Sequence, residues 1–350
     1  MDVLTPLKNL LEPDKICIDN KVFRICTKVT FVLLTTFSIL VTSRQYIGDP
    51  IDCIVEVIPQ KIMDTYCWFY STYTLSNRLI GIAGKDIVQP GVASHSEFGD
   101  TIKYHSYYQW VCFALFFQAI LSYIPRYIWK CFENGRIKVL ADKLKEPLAK
   151  KEDKDKHMVA MINYFKDNLN QQCFYAYRFF LCEVLNVAVA IGQIYFADIF
   201  LDGEFLWYGS NVMQQHEVDT MTRVFPKLTK CSFHKYGPSG TIQNFDGLCV
   251  LPVNIINEKI YLFLWFWFIG IIILSTMALI YRAFVCCSSK LRLHLLRSRA
   301  RFASRRDIDY ILLRFDIGDW FILYQLSKNI DPITFKFICR DLFRKLYIDI

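Results

Sequence analysis

Four apolar runs decide what this chain can fold into. They cover residues 27–46 (TKVTFVLLTTFSILVTSRQY), 108–129, 179–201 (FFLCEVLNVAVAIGQIYFADIFL) and 260–285 (IYLFLWFWFIGIIILSTMALIYRAFV). A helix needs about 20 apolar residues to cross the hydrocarbon core of a bilayer. One such run would also suit a buried core helix. Four runs, each flanked by aromatic or basic residues, suit a chain whose solvent is lipid. The second shows the pattern: Tyr107, Tyr108 and Trp110 rim one end, Tyr127 and Trp129 the other. Pro125 is tolerated there if neighbours or water satisfy the freed carbonyl, and Arg126 can snorkel to the interface. The first 26 residues mix Lys, Asp, Glu and Pro, so no cleavable leader is expected and the first run serves for targeting.

The basic residues set an expected orientation. The segment before the first run carries Lys8, Lys15, Lys21 and Arg24, the segment 130–178 carries eleven Lys and Arg, and the tail from Arg282 carries fourteen. The segment 47–107 has four and the segment 202–259 has five. The positive-inside rule then puts both termini and the middle segment in the cytoplasm, and the two other loops outside. The net charge of +8 is read as this topology signal plus attraction to the anionic inner leaflet, not as a nucleic-acid footprint.

The thirteen cysteines sort by side. Cys53 and Cys67 fall in the first outer loop, Cys231 and Cys249 in the second. Four cysteines in an oxidising space read as two disulfides, with three possible pairings. Cys17, Cys26, Cys131, Cys286 and Cys287 lie near the inner face; palmitoylation is one reading, small apolar filler the preferred one. In the second outer loop, GPSG at 237–240 and Asp246-Gly247 are turn signals between strand-like residues. Neither outer loop has an Asn-X-Ser/Thr site, which suits a surface approached closely. The inner segments read as helical: KKEDKDK is expected as a solvated linker, and Asp331-Pro332 as a cap and first helical position. The tail helices are expected to pack on those of the middle segment.

Enzyme chemistry is not expected. The six histidines (His95, His105, His157, His216, His234 and His294) form no close pair, GIAGKD at 81–86 lacks the rest of a phosphate loop, and no Gly-X-Ser-X-Gly elbow occurs. No catalytic residue, metal or cofactor is assigned. Glu183 and Asp198 lie within the third run. An acid there is a functional candidate by default, so Glu183 is a candidate ion-pathway residue; the plainer reading is that both acids sit near span ends, in water.

Tyr107, Tyr108, Gln109, Trp110 and Val111 form YYQWV, which resembles the signature of the innexins, the invertebrate gap-junction proteins. SRQYIGDPIDC at 43–53, DTYCW at 64–68, QPGV at 89–92 and IPRYIWK at 124–130 are similar to innexin landmarks. So are FYAYRFFLCE at 174–183, IGQIYF at 191–196, FLDGEF at 200–205, KYGPSG at 235–240, DGLCVLPVNIINEKIYLFLWFWF at 246–268 and IGDWFILYQLSKNIDP at 317–332. The resemblance is nearest to the insect branch; the vinnexins of parasitoid-wasp polydnaviruses are similar as well, and a second outer loop short around 209–223 leans toward them.

The resemblance implies a polytopic, all-α membrane protein with four transmembrane helices. Two disulfide-braced outer loops would carry short strands, and a helical dome would lie on the cytoplasmic side. Subunits would form a ring, octameric in preference to hexameric, with the first two spans nearest the axis. Two rings would dock head to head through the outer loops, Lys235, Tyr236, Gly237, Pro238, Ser239 and Gly240 among the docking residues, and heteromers with other innexins are possible partners. The implied bridges are Cys53–Cys249 and Cys67–Cys231. Met1, Asp2, Val3 and Leu4 would line the pore mouth, with Asp2 as a charge ring and Val3 and Leu4 as an apolar constriction. The function implied is passive intercellular passage of ions and small metabolites. The rivals are a pannexin-like hemichannel releasing solutes and a non-conducting four-span adhesion or scaffold protein.

Overall fold

The computed structural model describes residues 16–80, 84, 85, 87, 89–94, 101–141, 144, 151–214 and 219–348. The elements in chain order are α1 (Lys21–Ile47), β1 (Asp52–Ile54), α2 (Gln60–Phe69), β2 (Thr72–Leu75), β3 (Ile102–His105) and α3 (Val111–Glu133). Then come α4 (Arg136–Ala141), α5 (Lys151–Asp167), α6 (Cys173–Phe200), α7 (Tyr208–Met213), α8 (Thr220–Val224), β4 (Leu228–Tyr236) and β5 (Ile242–Val250). The chain closes with α9 (Pro252–Cys287), α10 (Ser289–Arg299), α11 (Arg305–Arg314), α12 (Ile317–Leu326) and α13 (Pro332–Ile348).

Helices α1, α3, α6 and α9 are long and apolar enough to cross a membrane, at 27, 23, 28 and 36 residues. At 1.5 Å per residue even the shortest runs about 35 Å, more than the roughly 30 Å hydrocarbon core. Their surfaces are inverted relative to a soluble helix. On α3, Leu115, Gln118, Ala119 and Ser122 are buried, while Phe113, Phe116, Phe117 and Ile120 are exposed. Small and polar side chains face protein and large apolar ones face out, as a lipid solvent favours. In α1 the π-helical stretch Ile25–Val29 loosens the backbone ladder, and the Thr27 hydroxyl donates to the Phe23 carbonyl at 2.7 Å.

The chain forms two compact units. One, here the sheet unit, comprises residues 31–121 and 190–271. Its five strands are all antiparallel, in the order β1-β5-β4-β2-β3. β4 and β5 pair over nine residues each, from Leu228↔Val250 to Tyr236↔Ile242. The hairpin turns at GPSG, where Gly240 takes φ +79°, a conformation that a side chain would strain. The apolar core runs from Met63 and Tyr108 through Phe205, Tyr208 and Phe225 to Tyr261 and Phe268. In the same unit the Gln118 and Gln193 amides each donate to the other's backbone carbonyl, at 3.2 and 2.9 Å.

The other, the helical unit, comprises residues 1–30, 122–189 and 272–350. The tail helix α13 packs on α5 and α12 on α4, with Phe165, Phe179, Trp320, Phe321, Ile338 and Leu342 in one core. Gly318 lets α12 approach the start of α6: a Cβ there would fall 2.2 Å from the Gln172 backbone. Asp331 caps α13, its carboxylate accepting from the Ile333 and Thr334 amides at 3.1 Å each. The linker expectation for KKEDKDK is corrected: from Lys151 the run opens α5. Glu152 and Asp153 occupy the first turn, where the helix dipole favours acids, and Glu152 pairs with Lys156 four residues on at 3.1 Å.

Candidate functional site

The sheet unit ties its two loops together covalently. Cys53 on β1 lies directly across from Cys249 on β5, and they form one disulfide, with Cα atoms 4.0 Å apart. Cys67, in the last turn of α2, forms the second with Cys231 on β4. The bridges are adjacent, since the sulfurs of Cys53, Cys67 and Cys249 lie within 4.8 Å of one another. All four cysteines are buried. His105, also buried, stands 2.8 Å from the Thr74 hydroxyl; burial lowers its pKa to about 4, so it is neutral at physiological pH.

The YYQWV residues fasten this braced domain to the helices of its own unit. The Tyr107 hydroxyl donates to the Val224 carbonyl at 3.2 Å, and the Tyr108 hydroxyl to the Cys67 carbonyl at 3.1 Å. The Gln109 amide donates to the Trp68 and Phe69 carbonyls, where α2 ends. The Gln45 amide donates to the Tyr108 carbonyl at 2.7 Å. Val111 is fully buried and Trp110 is 59% exposed. The signature is therefore a set of anchors beneath the Cys67 bridge. The hairpin tip stands free of such anchoring: Lys235, Tyr236, Pro238, Ser239 and Gly240 are exposed, Gly237 is half-buried, and the Lys235 ammonium lies 4.7 Å over the Phe245 ring.

In the helical unit the residues that precede α1 are held one by one. The Cys17 amide donates to Asn329 Oδ1 at 2.6 Å, and Asn329 Nδ2 donates back to the Cys17 carbonyl at 2.8 Å. The Trp129 indole donates to the Ile18 carbonyl at 3.1 Å. Asp19 is buried in ion pairs with Arg126 and, at 3.0 Å, with Arg24. Asn20 caps α1 by accepting from the Phe23 amide at 2.6 Å, and its own amide donates to Glu183. Met1, Asp2, Val3 and Leu4 lie outside the described residues.

Glu183 is neither wet nor free. It is 4% exposed and accepts a two-pronged pair from Arg282, at 2.8 and 2.9 Å. The Arg282 guanidinium sits among the rings of Phe179, Phe180 and Phe321, at 5.4, 4.9 and 5.7 Å. Both charges are thus spent on each other, and the acid acts as a brace between α6 and α9. Asp198 is partly exposed and accepts from the Leu206 amide at 2.8 Å, closing the turn after α6. Arg126 does not snorkel; it is buried against Asp19. Near the Asn329 clasp, burial lowers the Lys328 ammonium to about 8. Burial also raises Asp319, whose carboxylate accepts from the Asn170 amide at 2.8 Å, to about 6. Of the five cysteines considered for palmitoylation, Cys26 is buried, Cys17 and Cys286 are half-buried, and Cys131 and Cys287 are exposed.

The innexin family profile matches residues 19–346. The chain belongs to the innexin family. This innexin is 57% identical to Innexin inx2 of Drosophila melanogaster, over 99% of this chain and 96% of that one. It is 55% identical to Innexin inx2 of Schistocerca americana, over 99% and 98%. It is 40% identical to Innexin shaking-B of Drosophila melanogaster, over 99% and 95%. As an innexin it is a multi-pass membrane protein and a gap-junction channel subunit, it assembles into oligomeric channels, and it is not an enzyme.

Proposed function

We propose that this innexin forms closed rings, octameric in preference to hexameric, that dock head to head across two apposed membranes and pass ions and small metabolites passively. Both termini and the segment 130–178 face the cytoplasm, as the distribution of Lys and Arg favours. The loops 47–107 and 202–259 face the gap between cells. The observation that carries the docking reading is the pair of disulfides that joins the two loops into one domain below an exposed hairpin tip. A rigid domain loses little conformational entropy when it docks. Lys235, Tyr236, Gly237, Pro238, Ser239 and Gly240 form the docking tip. Met1, Asp2, Val3 and Leu4 line the pore mouth, continuing from the segment that Asn329, Trp129 and Arg126 hold in place. Other innexins are possible ring partners.

The test is dual voltage clamp on paired cells that lack endogenous coupling, each expressing this chain. Junctional current is expected, with its loss in Cys53→Ser. A variant with Tyr236→Ala and Pro238→Ala at the tip should keep a single-cell current and lose the junctional one. Single-cell current without any junctional current from the native chain would replace this reading with the hemichannel.

A further inference from the structure

The helical unit carries a second site that the channel reading does not use. A cavity of ≈350 Å³ is lined by Arg136, Tyr164, Asn168, Gln172, Tyr175 and Arg178. Its walls are rich in hydrogen-bond donors. The Arg136 guanidinium donates to Gln172 Oε1 of the side-chain amide at 2.8 Å and lies 5.1 Å over the Tyr175 ring. The Gln172 amide in turn donates to the Tyr164 hydroxyl at 2.7 Å. The Arg178 guanidinium lies 5.2 Å over the Phe132 ring. Both cations are exposed at the cavity's edge and are positioned by neutral groups. Among the described residues neither has a carboxylate within ion-pair distance. The neighbouring acid, Glu133, is committed to the backbone, accepting from the Gly135 and Ile137 amides at 2.8 and 2.6 Å.

Each guanidinium has five N–H donors in a planar fork, and among the described residues most of them make no hydrogen bond to protein and face water. Two uncompensated forks on one polar cavity suit an anion with several oxygens and more than one negative charge. The cavity's place in the sequence says where that anion comes from. Arg178 is the last residue before the apolar run 179–201. Phe132, Phe174 and Tyr177 close by are exposed, aromatic rings of the kind that settle at headgroup depth. We propose that this cavity binds a phosphate monoester, carried by a phosphorylated inositol headgroup that is either part of a membrane lipid or free in solution. The lipid source, in the cytoplasmic leaflet, rests on the orientation proposed above; the anion chemistry does not.

The test uses the purified full-length oligomer. It is reconstituted in phosphatidylcholine nanodiscs doped with phosphatidylinositol bisphosphate, or with phosphatidylserine at matched charge, and lipid retention is measured. Binding of soluble inositol trisphosphate is measured in parallel on the detergent-solubilised protein, where orientation plays no part. The native chain should prefer the phosphoinositide to phosphatidylserine. Arg136→Gln with Arg178→Gln should bind at least about tenfold more weakly. Lys130→Gln with Lys138→Gln removes the same charge from equally exposed positions that do not line the cavity. That pair should stay within about twofold of the native chain. Arg136→Lys with Arg178→Lys should fall between, since charge remains and the fork is lost. Gel filtration and melting temperature check that each variant assembles. Inositol trisphosphate bound as tightly as the lipid makes the ligand a soluble phosphate; retention in nanodiscs alone makes it the lipid. No preference over phosphatidylserine, or equal losses in the two glutamine pairs, overturns the site in favour of diffuse attraction. Failure of the paired-cell recording would leave these binding results untouched.

Discussion

The two compact units solve the same problem by different chemistry. Each must hold together segments far apart in sequence. The sheet unit does so with covalent bonds: its bridges close separations of 196 and 164 residues. The helical unit has cysteines too, but Cys17, Cys26, Cys131, Cys173, Cys182, Cys286, Cys287 and Cys339 are free. It relies instead on buried charge: Glu183 with Arg282, and Asp19 with Arg126. A disulfide acts mainly by restricting the unfolded chain. A buried ion pair mainly penalises every arrangement that separates its members. The first brace is open to reductant; the second is not.

The largest effect that would break this contrast concerns the ion pair. Arg282→Met alone should destabilise the helical unit by about 3 to 5 kcal/mol, because Glu183 would stay buried and uncompensated. The double variant with Glu183→Leu should recover most of that, as read from thermal unfolding of the purified oligomer. A double variant as unstable as the single one would mean that the pair contributes attraction, not only exclusion. Next, Cys67→Ser should cost the sheet unit about 2 to 5 kcal/mol. Hydrogen exchange should show the loss confined to residues 31–121 and 190–271, and dithiothreitol should reproduce it in the native chain. Protection lost equally in the helical unit would contradict the division.

A smaller effect follows from Asp319. Burial raises its pKa to about 6, above the ordinary value of 3.8. The folded state therefore binds this proton more tightly than the unfolded one. The stability it contributes is complete below about pH 4 and is lost as pH rises through about 6. Asp319→Asn should flatten this slope in the helical unit, by on the order of 1 kcal/mol between those limits, as followed by melting temperature against pH. The smallest effect is the reciprocal glutamine contact of the sheet unit. Replacing Gln118 by Leu, which removes one of the contact's two hydrogen bonds, should cost about 0.6 kcal/mol, the usual size of a hydrogen bond between membrane helices.

Much of this fold was legible because membrane physics writes in long runs. The apolar segments need no partner to be recognised, and each became a helix. Helix ends were less legible: α9 starts at Pro252 and α6 at Cys173, since a helix need not stop where lipid does. The α2 helix passed unread, because its aromatic and hydroxyl residues show no clear period outside their packing on Tyr108 and Phe233. KKEDKDK looked like solvent-exposed linker from its charge; the dipole and the Glu152–Lys156 pair made it helix. Glu183 stood out from its apolar run, but its partner did not. Arg282 looked like one more basic residue at a span's end, and nothing local marks a pairing across 99 positions. The sheet order was equally hidden, because β1 and β5 meet only after most of the chain has been made.

The clasp between Asn329 and Cys17 has a consequence for biosynthesis. It joins positions 312 residues apart in a chain of 350. The segment that leads into α1 leaves the ribosome before the four spans, and its fastener after them. Until residue 329 has been translated, that segment has Arg126 and Trp129 to hold it, but the Cys17 backbone lacks its Asn329 partner. A chain cut short within α12 would have all its spans and both bridges, and its amino-terminal strap would hang open. The seam therefore closes only after every span and all four bridging cysteines have been made.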